Sequence, residues 1–166
     1  MKNVILHDDG KNHLFDETVN RHMKNLTVEK EREATAPTEE YPDLVSSGLH
    51  MDDGVNTLMR NNDTYKYRKP FKLYMNPMEA KRRGFKEDDI IRITTKSGQI
   101  DIPLEYSWKM ADGYSMFPHH SGLKNESQPL YGQHANQITS HLDYDEIAHN
   151  SILRYVKCRM EKIDQA

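Results

Sequence analysis

The sequence has very little cysteine, and this scarcity excludes several kinds of site. Its 166 residues include a single cysteine, Cys158. A disulfide framework, a zinc site built from several cysteines and a cysteine-held iron–sulfur cluster each need more than one such residue within the chain. Few cysteines are typical of proteins in a reducing compartment, so we expect a cytoplasmic protein, and a periplasmic one only if a partner carries it there.

Long apolar runs and excess positive charge are missing as well. Hydrophobic residues make up 36% of the chain and the mean hydropathy is −0.92, so we expect a small core with part of the chain outside it. The stretch MKNVILHDDGKNHLF lacks the apolar segment of a signal peptide. No run approaches membrane-spanning length, so we expect no direct membrane contact. The net charge of −3 argues against a nucleic-acid partner.

Common catalytic and nucleotide-binding motifs are also missing. Neither GxxxxGK[ST] nor GxGxxG occurs, so ATP and NAD are not indicated. No Ser, His and Asp set stands out as a triad, and we predict no catalytic residue. His119 and His120 are adjacent, without HxH or HExxH spacing, so we predict no metal site. A stand-alone metal-binding barrel that uses the histidine cluster is kept as an alternative.

What the sequence does contain is a series of short strands and tight turns. IIRITTK and GQIDIPLEY alternate apolar and polar residues around a Ser97-Gly98 turn, which predicts a hairpin. FKLYM and YVKCRMEKI alternate in the same way and predict further strands. Two or three small helices between such strands favour a mainly β barrel over a sandwich of long strands.

The first forty residues have a different character. Val19, Met23 and Leu26 have helical spacing and predict one short helix. The charged stretch TVEKEREATAPTEE that follows has no apolar period, and we interpret it as a linker. We therefore divide the chain into an N-terminal arm and linker, residues 1–40, and a β-barrel domain, residues 41–166.

NPMEAKRRGFKEDD, which precedes the hairpin, predicts a short helix and a tight turn. Asn76 is a good helix cap, Pro77 suits the first helical position and Gly84 is the expected stop. Asp88 and Asp89 occur where side chains bond nearby backbone N–H groups. We expect these two acids to shape the turn into the next strand and to have no catalytic role.

Two polar segments carry possible binding chemistry. SSG, residues 46–48, offers hydroxyls and backbone N–H groups of the kind that bind phosphate, although most such triplets are ordinary turns. GQHANQIT contains Asn136 and Gln137, with Ala135 and Ile138 as its apolar anchors. Because an amide both donates and accepts, this segment suits the edge of a heterocycle. A polar loop that caps a helix is the alternative.

The order of these segments resembles the C-terminal molybdopterin-dinucleotide-binding domain of the dimethyl sulfoxide reductase family, the bis-pterin molybdenum and tungsten oxidoreductases. YPDLVSSGLHMDDGVNTLMRN is similar to the strand and TGR-like loop that open the family pattern. NPMEAKRRGFKEDDIIRITTKSGQI is similar to the central motif NPEDAxxxGIxDGDxVxVxSxxGxI. ADGYSMFPHHSG, HANQITSHLDYD and LRYVKCRMEKI then follow in the family order. SSGLH lacks the arginine of TGR, and Asp88 replaces the glycine of DGD.

The resemblance implies a fold and a ligand. The fold is mainly β, a double-psi β-barrel with a few short flanking helices. The ligand is molybdopterin guanine dinucleotide, with the molybdenum or tungsten held mainly by another part of the enzyme. The cofactor-binding residues that the resemblance implies are Ser46, Ser47, Gly48, His119, His120, Asn136, Gln137 and Arg154.

The resemblance also implies a partner. The family's larger domains carry the iron–sulfur cysteines and the metal ligand, so we expect a larger catalytic subunit or domain of a molybdenum or tungsten oxidoreductase. The chain would be its C-terminal domain or a small split subunit, of formate dehydrogenase or anaerobic reductase type, and not catalytic alone. The alternative is a non-catalytic interaction or assembly module that kept the barrel and lost the cofactor.

Overall fold

Six strands close into a barrel in the computed structural model, which describes residue 9 and residues 17–48, 71–118, 133–145 and 150–164. None of the described helices is long and apolar enough to cross a membrane. In chain order the described elements are helices α1 (Glu17–Asn25) and α2 (Val28–Thr35), strands β1 (Asp43–Gly48) and β2 (Leu73–Met75), helix α3 (Pro77–Arg82), strands β3 (Ile90–Thr95), β4 (Gly98–Tyr106) and β5 (Tyr114–Pro118), a 3-10 turn (Ala135–Gln137) and strand β6 (Val156–Lys162).

The barrel mixes parallel and antiparallel pairs. The strand order is β1-β5-β2-β4-β3-β6, and β6 closes the ring against β1. β1 with β5 and β2 with β4 are parallel, and the other four pairs are antiparallel. Each of the six strands therefore has a neighbour on both sides in the ring. The predicted fold class, a mainly β barrel with a few short flanking helices, is confirmed.

The strand directions give the barrel two distinct ends. The C-terminal ends of β1, β3 and β5 meet the N-terminal ends of β2, β4 and β6 at one end, where the β3–β4 hairpin turns. We call this the hairpin end. The opposite end carries α3 and the turn that connects β4 to β5, and we call it the helix end. The two ends turn out to have different roles.

The core fills the barrel by strict alternation of side chains. Ile91 lies opposite Ile102 and Ile93 opposite Ile100, and none of the four is more than 1% exposed. Cys158 is also fully buried. Burial, with the nearby Asp43 carboxylate, raises the pKa of its thiol well above the usual range. The thiol is therefore protonated at neutral pH and is an inert part of the core.

Local signals form α3 at the helix end as predicted. The Asn76 side-chain oxygen accepts a hydrogen bond from Met78 N at 2.9 Å and caps the helix. The amide nitrogen of the same side chain donates to Met110 O at 2.9 Å, which joins α3 to the β4–β5 turn. Gly84 follows the helix with φ 73°, a conformation that glycine adopts without steric cost.

The acidic turn forms with Asp89 bonding a nearby backbone N–H as predicted, whereas within the described part of the chain the Asp88 side chain bonds Lys72 and not the backbone. Lys86 N donates to the Asp89 carboxylate at 2.7 Å, and a further hydrogen bond from Lys162 holds the pKa of Asp89 below its usual range. Asp88 has φ 63°, the left-handed region that glycine occupies most readily. Its carboxylate pairs with Lys72 Nζ at 2.7 Å. The aspartate that replaces the family's glycine therefore still forms a tight turn.

The arm contains one helix more than predicted. α1 forms where expected, but residues 28–35, which we interpreted as linker, form α2. Thr27 caps it by accepting from Lys30 N at 3.2 Å, and two glutamates in its first turn favour the positive end of the helix dipole. A charged helix needs no apolar period, which is why periodicity missed it. The division at residue 40 stays a prediction.

A buried carboxylate fixes the helix end. Asp43, 8% exposed at the start of β1, accepts from Met160 N at 2.8 Å and forms an ion pair with Arg83. Arg83 also approaches Glu79, which is 7% exposed and accepts from Gly113 N at 2.8 Å. One small cluster thus connects β1, β6, α3 and the β4–β5 turn.

Two neighbouring arginines test this cluster. Arg83→Ala leaves the buried Asp43 carboxylate without its ion pair, so we expect the free energy of unfolding to fall by about 2 to 4 kcal/mol. Arg82→Ala removes an exposed pair with Asp112, and we expect a much smaller fall. Urea unfolding of both variants measures the difference. Equal effects would contradict the role given to Asp43.

Candidate cofactor-binding site

The structure brings the predicted binding segments that it describes to the hairpin end. Residues 46–48 form the last part of β1, and Arg154 lies two residues before β6 begins. The 3-10 turn with Asn136 and Gln137 packs beside the β3–β4 turn at the same end. His119 and His120 lie outside the described residues, immediately after Pro118, which ends β5.

The two serines use their donors within the protein. Ser47 N donates to Leu153 O at 3.1 Å and Ser47 Oγ approaches the same carbonyl at 3.3 Å. Ser46 Oγ approaches the Ser47 carbonyl at 3.4 Å. Both side chains are buried, and both residues lie in the strand rather than in a turn. In this structure Ser47 fixes the segment before β6.

Arg154 lies between two anchored neighbours. Leu153 is held by Ser47, and the ring of Tyr155 packs on that of Tyr114 with centroids 5.5 Å apart. Tyr155 has φ 59°, an uncommon conformation for a bulky residue. Arg154 itself is exposed, and its guanidinium has no partner within the described ranges. A fixed backbone with a free guanidinium suits recognition of a phosphate.

The 3-10 turn presents a second exposed polar group. Ala135 and Ile138 are buried, as predicted for its anchors, and Thr95 Oγ donates to Ile138 O at 2.8 Å. The Gln137 side-chain oxygen accepts a hydrogen bond from the backbone N of His134 at 3.1 Å. Asn136 is exposed, and its amide has no hydrogen-bond partner among the residues that the structure describes. It remains available to a ligand.

A close approach that the sequence did not reveal positions this turn. A Cβ added at Gly98 would lie 2.3 Å from the backbone oxygen of Gln137. Gly98 was predicted only as a hairpin turn residue. Gln133 adds a second contact with the hairpin, because its side-chain nitrogen Nε2 donates a hydrogen bond to Asp101 O at 3.2 Å. The β3–β4 hairpin therefore supports the segment that carries Asn136.

The hairpin end shows no metal-ligand cluster in what is described. Across the described ranges, no three histidine, cysteine, aspartate or glutamate side chains come together in a way that could hold a metal ion. The polar groups that the described residues leave free there include the Arg154 guanidinium and the Asn136 amide, which recognise anions and heterocycle edges.

Comparison with known proteins identifies the family. The family model of the molydopterin dinucleotide binding domain matches residues 44–157. The chain belongs to this family. It is 32% identical over 75 residues to dimethyl sulfoxide reductase DmsA from Haemophilus influenzae, a match that covers 45% of this chain and 9% of that protein.

A solved structure shares the fold of this molydopterin dinucleotide binding domain. Acetylene hydratase from Pelobacter acetylenicus superposes with a TM-score of 0.61 at 17% identity, over 75% of this chain and 19% of that one. The chain therefore spans a small fraction of both relatives. By its family match, the chain is a molydopterin dinucleotide binding domain.

The residues present fit such a ligand in part. A dinucleotide carries an anionic pyrophosphate and heterocyclic rings, and the free guanidinium of Arg154 and the free amide of Asn136 match these groups. The donors of Ser46 and Ser47 do not match in the same way, because Leu153 O and Ser47 O already occupy them. In this structure the two serines hold backbone carbonyls next to the site, and their donors are not available to a ligand.

Gly98 tests the support of the 3-10 turn. Gly98→Ala places a methyl group against the Gln137 carbonyl, and a backbone atom yields less readily than a flexible side chain. We expect a loss of about 1 to 3 kcal/mol in the free energy of unfolding. Ser97→Ala in the same turn is the control and should change stability little. Urea unfolding of both variants decides, and equal stabilities would contradict the close approach.

Proposed function

We propose that this chain binds molybdopterin guanine dinucleotide at the hairpin end of its barrel. It does so as the C-terminal domain or a small split subunit of a molybdenum or tungsten oxidoreductase, of formate dehydrogenase or anaerobic reductase type. One observation carries the proposal. The described binding segments, residues 46–48, 136–137 and Arg154, converge on one end, while α3 and its turn lie at the other.

Each residue has a role that its surroundings support. Arg154 pairs with a phosphate of the dinucleotide, since its guanidinium is exposed and its neighbours are anchored. Asn136 bonds the edge of guanine or pterin, with Gln137 beside it. His119 and His120 are proposed for the same edges from the segment after β5. The bound pterin and its metal supply the redox chemistry, and this chain binds and orients them.

The proposal includes a larger catalytic partner, either a separate subunit or a further domain. The chain spans 9% and 19% of the two relatives, so such enzymes contain much more polypeptide than this domain. We assign the metal ligand and the iron–sulfur cysteines to that partner. We further propose that the assembly is cytoplasmic.

A second candidate function rests on the serine hydrogen bonds. Ser47 offers its N–H and its hydroxyl to Leu153 O rather than to a ligand, and the family's TGR arginine is missing from SSGLH. A module that kept the barrel for assembly and lost the cofactor would have these features. The two candidates predict different pterin contents for the native assembly. If this chain binds the cofactor, the pterin content depends on Arg154, and if the chain is an assembly module, it does not.

The pterin content of the native assembly tests the proposal. Pterin is released from the purified assembly, oxidised and read by its fluorescence, with the native mass measured on the same sample. Arg154→Ala removes a charged hydrogen bond worth about 1.5 to 3 kcal/mol, or roughly a ten-fold or greater loss of affinity. We expect pterin per chain to fall in Arg154→Ala and in Asn136→Ala.

Arg82→Ala is the matched control, because Arg82 is also exposed but lies in α3 at the helix end. It should leave the pterin content unchanged. An assembly that contains pterin equally in all variants would favour the assembly module over the cofactor-binding function. An assembly without pterin would contradict the proposed function outright.

A further inference from the structure

Most of the exposed apolar side chains belong to two segments, the arm and the segment before β6. The described residues include eleven large hydrophobic side chains that are exposed, and nine of them belong to the arm or to residues 142–155. We call these nine the arm patch: Val19, Met23, Leu26 and Val28 from the arm, and Leu142, Tyr144, Ile152, Leu153 and Tyr155 from the segment before β6. The other two, Met78 and Trp108, lie at the helix end.

Five of the nine, Leu26, Tyr144, Ile152, Leu153 and Tyr155, line one cavity. Its volume is about 990 Å³, with residues of the arm on one side and residues 144–145 and 150–155 on the other. Leu26 and Ala34 line the first side, and Ile152, Leu153 and Tyr155 line the second. A cleft of this size and composition accommodates an apolar segment of another polypeptide, such as one face of an amphipathic helix.

The arm helices are too short to account for their own stability. α1 has nine residues and α2 has eight, and neither contains a buried residue. Isolated helices shorter than about 12 to 15 residues are marginal in water. Val19, Met23 and Leu26 recur at helical spacing on one face and are 36%, 60% and 55% exposed. An exposed apolar stripe on a marginal helix is typical of a surface that another polypeptide covers.

The arm is nevertheless held against the barrel. Lys157 Nζ donates to Glu33 O at 3.3 Å and Arg159 donates to Glu40 O at 2.9 Å, so the arm runs along the outside of β6. Its cavity is lined by Leu153, Arg154 and Tyr155. The arm patch is therefore continuous with the candidate cofactor site at the hairpin end. The arm precedes the family match, which begins at residue 44.

We propose that the arm patch is the docking surface for the larger catalytic chain or domain of the enzyme. This inference rests on the proposed function. The chain spans 19% of the length of acetylene hydratase and 9% of that of the reductase, so an enzyme of similar length contains ample polypeptide to cover the patch. Docking there positions the catalytic chain over Arg154, where a cofactor shared between both chains would lie. The helix end stays outside the interface.

Oxidative footprinting of methionine and aromatic side chains tests the docking surface without any substitution. Met23 in the patch and Met78 at the helix end are a matched pair, 60% and 56% exposed. Tyr155 and Trp108 form a second pair, 49% and 75% exposed. Hydroxyl-radical labelling is measured by mass spectrometry on the chain alone and on its native assembly, whose other chain is identified by its sequence.

We expect labelling of Met23 and Tyr155 to fall at least about three-fold in the assembly, as for side chains in an interface core. Met78 and Trp108 should be unchanged. Unchanged labelling of Met23 and Tyr155, or protection confined to Met78 and Trp108, would overturn the docking surface.

The pterin content of the same sample separates the two proposals. Protection of the arm patch by a large chain in an assembly without pterin would leave the docking surface standing and overturn the proposed cofactor binding. Pterin in an assembly with an unprotected patch would do the reverse. The two inferences therefore fail independently.

Discussion

The Asp43 carboxylate is the contact on which the rest of this structure depends. It lies at the start of β1, next to the seam where β1 and β6 close the barrel over only three residue pairs. One of its oxygens binds Met160 N on β6 and the other pairs with Arg83 at the end of α3. A buried carboxylate with a charged partner and a backbone donor constrains the geometry strongly, because removing the charged partner leaves the carboxylate buried without compensation. Asp43 thus ties the closing seam to the helix end.

The same strand connects this constraint to the candidate site. β1 begins with Asp43 at the helix end and ends with Ser47 and Gly48 at the hairpin end. Ser47 fixes Leu153 there, and Leu153 precedes Arg154. β1, a strand of six residues, therefore connects the closing pair of strands to the backbone beside Arg154, and this connection positions the free guanidinium. The helix end contains several ion pairs, whereas at the hairpin end, in the part of the chain that is described, the Arg154 guanidinium and the Asn136 amide stay free for a ligand.

Local and periodic features of this fold could be predicted from the sequence. Asn76, Pro77 and Gly84 act on their own backbone neighbours, and β3 and β4 alternate with a period of two, so α3 and the hairpin were predicted correctly. α2 was missed because a charged helix has no apolar stripe and depends on its cap at Thr27. No single segment indicates a double-psi barrel. The order of the segments did so, because it resembles the order in a known family.

Contacts between distant parts of the chain could not be predicted in this way. Ser47 and Leu153 are 106 positions apart, and only the closed barrel brings the hydroxyl to that carbonyl. The approach of Gly98 to Gln137 likewise depends on how a later segment folds back onto the hairpin. For this reason sequence reasoning selected the serines as direct ligands, while the structure shows their donors in use. It also missed Gly98 and Tyr155 as residues that position the site.

The most direct test of the central claim is a structure of the native assembly by electron cryomicroscopy, with the dinucleotide located in the map. The account predicts density for the dinucleotide at the hairpin end, with a phosphate within hydrogen-bonding distance of Arg154 and a ring edge at Asn136. A dinucleotide that contacts this chain only at the helix end, around α3 and the β4–β5 turn, would contradict it.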